Sequence, residues 1–362
     1  MRYARILWLL VGLIPLPTSA QPTVVDSLGT SLASGHDGAV VIGVLADDRT
    51  DTYGFGAVDS TGMPPTARTL FEIGSVTKTF TGLLLADAIE RGRAEDSTPV
   101  AGLLPDSVAL GPADSTTMTL GHLATHRSGL PRLPANLDVA ARPTDPYAAY
   151  GDSALFAFLE GYTPPRPPET QYEYSNLGMG LLGHLLARRA DTTYVALVQK
   201  RIAGPLGLRD TRVRLTDAQQ ARLAQGHNRA GAPTSPWHFE ALAGAGALRS
   251  TATDMLAYLR AHRRPLQTTP DTASTLHRAM QRAVDPRAST GREETRIGYG
   301  WHRSTRDGHA VLWHIGGTGG FRSFVGLDRE TGRGVVVLVG AAVSSRSVAA
   351  GGVRLLEMAR TE

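Results

Sequence analysis

Apolar positions follow a strand-like pattern at both ends of the chain and a helix-like pattern between them. Residues 38–45 form a short β-branched run, a polar turn covers 46–49, and a second extended run covers 50–58, which together predict a β-hairpin. Toward the C-terminus, four further strands are predicted, with a polar hairpin loop between the last two. These strands are expected at 297–302, 310–314, 321–327 and 335–340.

The middle of the chain repeats its apolar residues at helical spacing, most clearly over 178–189, which predicts a buried helix. Strands at both ends with helices between them predict an α+β fold. We expect one antiparallel sheet built from both chain termini and flanked by helices, with a mostly helical domain inserted. Further helices are predicted at 24–32, 79–89, 120–125, 152–159, 194–202, 217–224, 250–259 and 353–359.

The first 20 residues have the layout of a signal peptide: Arg2 and Arg5, an apolar run over 6–17, and small residues before Gln21. The apolar run is too short to span a bilayer, and an uncleaved amphiphilic anchor is the alternative. We therefore expect an exported, periplasmic or extracellular protein without a stable membrane span after signal removal.

The predicted mature chain, 21–362, is expected to be one domain with two lobes. The α/β lobe comprises about 21–80 and 290–362, and the helical lobe about 81–289.

Composition narrows the function classes. The chain has 362 residues, of which 42% are hydrophobic and 19% are charged, and this composition is typical of an ordinary globular protein. A net charge of +4 without a long basic run gives no support for nucleic-acid binding. The chain has no cysteine, which excludes disulfides and thiol catalysis. Its histidines lack the spacing of a zinc site, so no metal or other cofactor is expected.

Candidate chemistry begins with Ser75 and Lys78, which lie three residues apart where a glycine turn enters a predicted helix. Residues at this spacing share a helix face, so the hydroxyl and the amine can meet. The pair is useful only if burial or a nearby cation lowers the pKa of the lysine. Because Ser-x-x-Lys also occurs by chance, other motifs must support it.

Two later stretches supply partners. Tyr174 and Asn176 stand at the mouth of the buried helix and offer a phenol and an amide. His314 precedes a glycine-rich segment, 316–320, whose backbone can approach a ligand closely.

These three motifs resemble those of the serine β-lactamase and penicillin-binding-protein superfamily. They are similar to the class C branch with its D,D-peptidase, D-aminopeptidase and esterase relatives. The motifs occur in the family's order, with His314-x-Gly316 where many members have Lys-Thr-Gly. Supporting stretches lie at 120–130, 205–208, 246–254 and 298–301.

The resemblance implies a role for each residue. Ser75 attacks a carbonyl and forms an acyl-enzyme. Lys78 and Tyr174 share the proton transfers, and either can be the base. Asn176 holds Lys78 or donates to the substrate amide.

The resemblance also implies an oxyanion hole made by the backbone N–H groups of Ser75 and Gly317, next to Gly316 on the strand edge. Each donor of this kind is worth roughly 3 to 4 kcal/mol.

The resemblance places His314 opposite a substrate carboxylate. With a pKa near its ordinary value of about 6.5, this histidine would be partly charged at pH 7. Arg322 is either a second cation for the substrate or a solvated side chain. We assign structural roles to four other residues: His122, His126, Trp301 and Trp313.

The sequence therefore predicts an exported serine hydrolase whose substrate is a small molecule, either a β-lactam or a D-alanyl peptide. The alternatives are a carboxylesterase acting on small esters and a penicillin-binding sensor with little turnover.

Overall fold

The computed structural model describes residues 20–36, 38–47, 49–111, 117–263, 274–306 and 308–358. Apart from Ala20, the predicted signal peptide lies outside the described residues.

The described residues form strands in the following order: β1 (Val40–Ala46), β2 (Arg49–Phe55), β3 (Phe71–Glu72), β4 (Gly226–His227), β5 (Pro233–Thr234), β6 (Arg249–Ser250), β7 (Ala288–Ser289), β8 (Thr295–Ile297), β9 (His302–Arg306), β10 (His309–Gly317), β11 (Arg322–Asp328) and β12 (Gly334–Val339). The α-helices are α1 (Ala20–Ala33), α2 (Thr77–Glu90), α3 (Leu120–Ala124), α4 (Asp152–Leu159), α5 (Asn176–Arg189), α6 (Tyr194–Val198), α7 (Asp217–Gln220), α8 (Ala252–Arg263), α9 (Thr275–Val284) and α10 (Ser345–Met358).

Eight strands form one antiparallel sheet in the order β2-β1-β12-β11-β10-β9-β8-β7. The N-terminal strand β1 pairs with the last strand β12, so that Val40 faces Val339 and Leu45 faces Gly334. Both strands are buried, because helices cover both faces of the sheet there. The prediction of an antiparallel sheet built from both termini and flanked by helices is confirmed.

Two helical layers enclose this sheet. On one face, α1 and α10 pack against a core that includes Ile42, Phe324 and Val337. On the other face, α8 crosses β1, and Gly43 leaves room for Leu256, whose Cδ1 would lie 2.9 Å from a Cβ at that position. Helix α2 is buried from Thr77 to Asp87, so that polar side chains such as Lys78 are enclosed together with its apolar ones.

Several elements differ from the prediction, among them the short strands β3 to β7, which were not predicted, and two differences have a clear physical reason. The predicted strand 297–302 is a turn between β8 and β9, in which Gly300 has a φ of +71° and a Cβ would collide with the carbonyl of Lys78. Helix α9 was not predicted, because its sequence is rich in Arg, His and Gln. Its buried residues, Ala279, Met280, Ala283 and Val284, form a narrow stripe against α2.

In the described part of the chain, no helix combines the length and the apolar character needed to cross a membrane.

Candidate active site

Ser75 lies in a short 3-10 turn, Gly74–Val76, directly before α2. Gly74 has a φ of +48°, and a Cβ there would lie 2.6 Å from the backbone nitrogen of Gly317. A glycine is therefore needed for this close approach of the turn to β10. Ser75 itself is partly exposed between buried neighbours, and it lines a cavity of about 490 Å³.

Lys78 is fully buried one helical turn behind Ser75. Its Nζ atom lies 3.1 Å from Ser75 Oγ, 2.9 Å from Asn176 Oδ1 and 2.7 Å from the carbonyl oxygen of Ala245. Burial, and secondarily the positive charge of Arg132, hold the pKa of Lys78 well below its ordinary value. Both effects favour the neutral amine.

The partners of Lys78 show how a neutral amine would be oriented. The carbonyl oxygens of Asn176 and Ala245 can only accept, so they take both hydrogens of an –NH₂ group. In that neutral form the remaining lone pair would face the hydroxyl of Ser75, whose Oγ lies 3.1 Å away, and could accept its proton. This is the arrangement required for a base that activates a serine.

Tyr174 covers Ser75 from the loop before α5. Its ring lies 4.6 Å from that of His126 and 5.0 Å from Lys78 Nζ. Burial raises the pKa of Tyr174 to about 12, against the smaller opposing effects of the Ser75 hydroxyl and Arg132. The phenol is therefore protonated at pH 7. The sequence leaves Lys78 and Tyr174 as the two candidate bases. The directions of their pKa shifts favour Lys78 as the base and Tyr174 as a proton donor.

Asn176 is the first residue of α5, and both polar atoms of its side chain form hydrogen bonds. Oδ1 accepts from Lys78, and Nδ2 donates to the hydroxyl of Tyr147 over 2.9 Å. Neither Asn176 nor Lys78 lines the cavity. Of the two roles considered for Asn176, the geometry favours holding Lys78 over binding the substrate.

The end of β10 is fastened to the turn that carries Ser75. Ser323 on the neighbouring strand donates to the carbonyl oxygen of Ile73 over 2.8 Å, and a Cβ at Gly316 would collide with that same oxygen. Gly316 and Gly317 therefore lie beside Ser75 and line the cavity. The N–H of Ser75 belongs to the first turn of a helix, where backbone donors lack intrahelical partners.

Arg322 is neither a solvated side chain nor a free cation. It is 9% exposed, and its Nη1 donates to the carbonyl oxygens of Thr318 and Phe321, both over 2.7 Å. Its Nε donates to Val343 over 3.0 Å. Because these bonds brace the glycine segment 316–320, the expectation of a solvated arginine is wrong.

His314 lines the cavity but differs from its expected charge state. The residue is buried, and burial, His302 and Lys78 together hold its pKa well below the ordinary value. The expectation of a partly charged histidine at pH 7 is therefore wrong. Its Nδ1 lies 2.7 Å from the carbonyl oxygen of Ile315 and must donate to it, because a carbonyl can only accept.

Several cavity residues were missed by the sequence analysis. Trp313, which was assigned a structural role, lines the cavity and stacks on His302 with ring centroids 4.6 Å apart. Tyr172 could have been found, because residues two apart in an extended segment face the same side, and Tyr174 was already identified. The other missed lining residues include Arg132, Arg292 and His302.

The chain belongs to the beta-lactamase family, because the model of that family matches residues 26–358. Membership in the serine β-lactamase and penicillin-binding-protein superfamily, predicted from three motifs, is confirmed. The protein is a serine hydrolase of this family.

The chain is similar both to β-lactamases and to a D-alanyl-D-alanine-carboxypeptidase/endopeptidase. A β-lactamase of Pseudomonas fluorescens is 27% identical over 353 residues, covering 87% of this chain and 92% of that protein. A β-lactamase of Escherichia coli is 31% identical over 251 residues, which are 69% of this chain and 61% of that protein. The D-alanyl-D-alanine-carboxypeptidase/endopeptidase AmpH of E. coli is 27% identical over 283 residues, 76% of this chain and 72% of that protein.

A solved structure supports the fold. The crystal structure of a β-lactamase/D-alanine carboxypeptidase from Pseudomonas syringae superposes with a TM-score of 0.81 at 22% identity, covering 94% of this chain and 99% of the other.

Proposed function

We propose that this protein hydrolyses amide bonds of β-lactams or of D-alanyl peptides through an acyl intermediate on Ser75. The observation that carries the proposal is the buried Lys78 amine, which lies 3.1 Å from Ser75 Oγ and has two pure acceptors as its other partners. The β-lactamase and carboxypeptidase names of the relatives support the substrate class.

Acylation follows from the arrangement of these groups. Ser75 Oγ attacks the carbonyl carbon while its proton passes to Lys78 Nζ. The tetrahedral oxyanion accepts from the N–H groups of Ser75 and Gly317. The C–N bond then breaks, and the proton reaches the departing nitrogen by way of Lys78 and the Tyr174 phenol.

Deacylation reverses the roles. A water molecule attacks the ester carbonyl carbon and gives up a proton to the same pair of residues. The bond from the carbonyl carbon to Ser75 Oγ breaks, Oγ takes the proton back, and the carboxylic acid product leaves.

We further propose that the protein is exported, with cleavage near Gln21 and a mature domain over 21–362. The support is the charged, apolar and small-residue layout of the first 20 residues.

A small-ester hydrolase is the second candidate. The neutral state of His314 favours it, because the motif offers no permanent cation for a substrate carboxylate.

Covalent labelling tests the nucleophile. A fluorescent penicillin and a fluorophosphonate should each attach to Ser75, as located by peptide mass spectrometry. Ser75→Ala should abolish both adducts. Ser345→Ala, which changes another serine of the same cavity, should retain them. Absence of both adducts from the wild-type protein would refute the proposed nucleophile.

Turnover tests the substrate class. Nitrocefin, a D-alanyl-D-alanine peptide and 4-nitrophenyl acetate are assayed side by side with the wild type and Ser75→Ala. Turnover of the lactam or the peptide supports the proposal. A dominant ester rate with negligible amide hydrolysis overturns it in favour of the esterase, and stoichiometric labelling without turnover identifies a sensor.

A further inference from the structure

His126 is a buried histidine with an unusual backbone conformation. It follows α3 with a φ of +58°, in the left-handed region, and the residue is only 1% exposed. For a residue other than glycine this conformation is strained, and it persists only where the surrounding structure fixes it. The contacts of His126 show what the strained position provides.

Two hydrogen bonds join His126 to the loop that carries Tyr174. The carbonyl oxygen of His126 accepts from the backbone N–H of Glu173 over 2.8 Å. The ring Nδ1 lies 3.2 Å from the backbone nitrogen of Ser175 and must accept, because a backbone N–H can only donate. A single residue thus holds the chain immediately before and immediately after Tyr174.

The imidazole of His126 also contacts the side chain of Tyr174. The centroids of the two rings are 4.6 Å apart, with an angle of 37° between the ring planes. The ring of Tyr172 meets the same imidazole edge-on at 5.7 Å. His126 therefore restricts both the backbone and the phenol ring of Tyr174.

The residues after Tyr174 are held without His126. Ser175 Oγ donates to the carbonyl oxygen of Pro131 over 2.6 Å, and the N–H of Asn176 donates to that of Arg132 over 3.0 Å. The start of α5, with the amide that binds Lys78, is consequently anchored by a separate segment. Loss of the His126 ring should act on Tyr174 rather than on Lys78.

Packing alone does not explain a histidine at this position. Burial holds the pKa of His126 well below its ordinary value, so the ring is neutral at pH 7. Because Nδ1 accepts, the proton lies on Nε2, which is buried and has no hydrogen-bond partner among the described residues. An apolar side chain would avoid this unpaired donor, and glycine would avoid the backbone strain. Positions that break such local rules are expected at functional sites.

We propose that His126 is the positioning residue for Tyr174: its carbonyl oxygen and Nδ1 hold the phenol beside Ser75, where the phenol protonates the leaving group. This inference rests on the proposed acyl transfer at Ser75 and assigns a residue that acts through Tyr174 without touching the substrate.

The proposed role makes the effect of His126 depend on the leaving group. In acylation, Tyr174 gives its phenolic proton to the departing atom as the bond to the carbonyl carbon breaks, and it takes up the proton that Lys78 removed from Ser75. An alkoxide or an amide nitrogen needs this proton, whereas 4-nitrophenolate is stable enough to leave without it. A displaced Tyr174 therefore slows substrates with poor leaving groups and spares activated ones.

His126→Gly and His126→Asn form a matched pair of variants. Glycine and asparagine both tolerate a left-handed backbone, so neither substitution adds strain. Both variants lose the imidazole and keep the carbonyl oxygen that binds Glu173. Only asparagine offers a side-chain oxygen that can accept from the N–H of Ser175.

The measured quantity is the ratio of kcat/KM for the ethyl ester of N-acetyl-D-alanine to kcat/KM for the 4-nitrophenyl ester of the same acid. Both esters form the same acyl-enzyme, so the ratio cancels effects on acyl binding and on the activation of Ser75. Misplacing a catalytic group by about 1 Å can cost roughly 10²-fold in rate, so we expect His126→Gly to lower the ratio by about 10- to 100-fold. His126→Asn should restore part of it.

A second readout needs no turnover. The rate of Ser75 labelling by a fluorescent penicillin, whose leaving nitrogen takes a proton, is divided by the rate for a fluorophosphonate, whose fluoride does not. This ratio should fall in the same variants.

Two controls separate positioning from general damage. In a Tyr174→Phe background, His126→Gly should lower the ester ratio no further, because the proton donor is already absent. His262→Asn changes another buried histidine, on α8 and outside the cavity, and should keep the wild-type ratio whatever its effect on urea denaturation.

The failure of this inference is distinguishable from failure of the proposed function. A wild-type ratio in His126→Gly, with or without an equal loss of rate for both esters, refutes the positioning role, as does a second full loss in the Tyr174→Phe background. If the glycine variant does not fold, a wild-type ratio in His126→Asn combined with a lowered ratio in Tyr174→Phe refutes it equally. Absence of Ser75 labelling in the wild-type protein would refute the proposed function itself.

Discussion

Lys78 Nζ donates a hydrogen bond of 2.9 Å to Oδ1 of Asn176, and this bond joins α2 to the first residue of α5. It links the first two sequence motifs behind Ser75, and neither Lys78 nor Asn176 lines the cavity at that serine. Through Nδ2 the same amide reaches Tyr147, so the orientation of Lys78 depends on a chain of buried polar groups.

The first prediction concerns which group is the base. Because burial lowers the pKa of Lys78 and raises that of Tyr174 to about 12, the rate of Ser75 acylation should fall at acidic pH as Lys78 becomes protonated. Lys78→Met should slow labelling by about 10²- to 10⁴-fold. Tyr174→Phe should slow labelling while leaving the acidic limb of the pH–acylation profile at the same pH. An acidic limb that disappears in Tyr174→Phe would assign the base to the tyrosine instead.

A second prediction concerns Asn176. Asn176→Asp places a carboxylate next to Lys78 Nζ, and an opposite charge at this distance stabilises the ammonium form. The pKa of Lys78 should rise, and the acidic limb of the pH–acylation profile should move to higher pH. Tyr147→Phe is the matched control, because it removes only the partner of Nδ2. An unchanged limb in Asn176→Asp would show that this contact does not control Lys78.

The third prediction concerns the contact between β10 and the turn of Ser75. Gly316→Ala drives a Cβ into the carbonyl oxygen of Ile73, so the strand edge must move away from the nucleophile. We expect a loss of about 1 to 3 kcal/mol in the free energy of unfolding together with a large loss of acylation. Gly102→Ala is the control, because no atom lies within 4 Å of a Cβ there. Wild-type stability and labelling in Gly316→Ala would contradict the described packing.

The fourth prediction concerns stability at low pH. His126, His302 and His314 are buried, and burial lowers the pKa of each, to about 4 for His302. The folded state therefore binds fewer protons than the unfolded chain below pH 6.5. The contribution of these neutral histidines to the free energy of unfolding should be fully present above pH 6.5. It should decline as the pH falls toward 4.

The shift of His302 alone corresponds to a loss on the order of 3 kcal/mol. Urea denaturation at several pH values measures this decline, and His302→Gln should make it shallower. A free energy of unfolding that stays constant from pH 6.5 to 4 would be inconsistent with buried neutral imidazoles.

Much of the fold was predictable because local pattern and burial agree. The valine-rich strands β1 and β12 and the apolar helix α5 are each recognisable alone, since their side chains are buried on nearly every side. Helix α9 was not recognisable from the sequence, because only a narrow stripe of its surface is apolar. The predicted strand 297–302 was wrong for a tertiary reason: Gly300 must turn there against α2.

The sequence by itself determined which chemical groups are present and in what order: a serine and a lysine one helical turn apart, a tyrosine and an amide before a buried helix, and a histidine before a glycine segment. Motif order was enough to predict the superfamily. The tertiary structure decided the state of these groups, because pKa values depend on burial and on charges from distant parts of the chain. It placed Lys78 and His314 in buried surroundings that favour their neutral forms. It also brought Arg132 and Arg292, from two separate loops, to the one cavity where Ser75 is exposed.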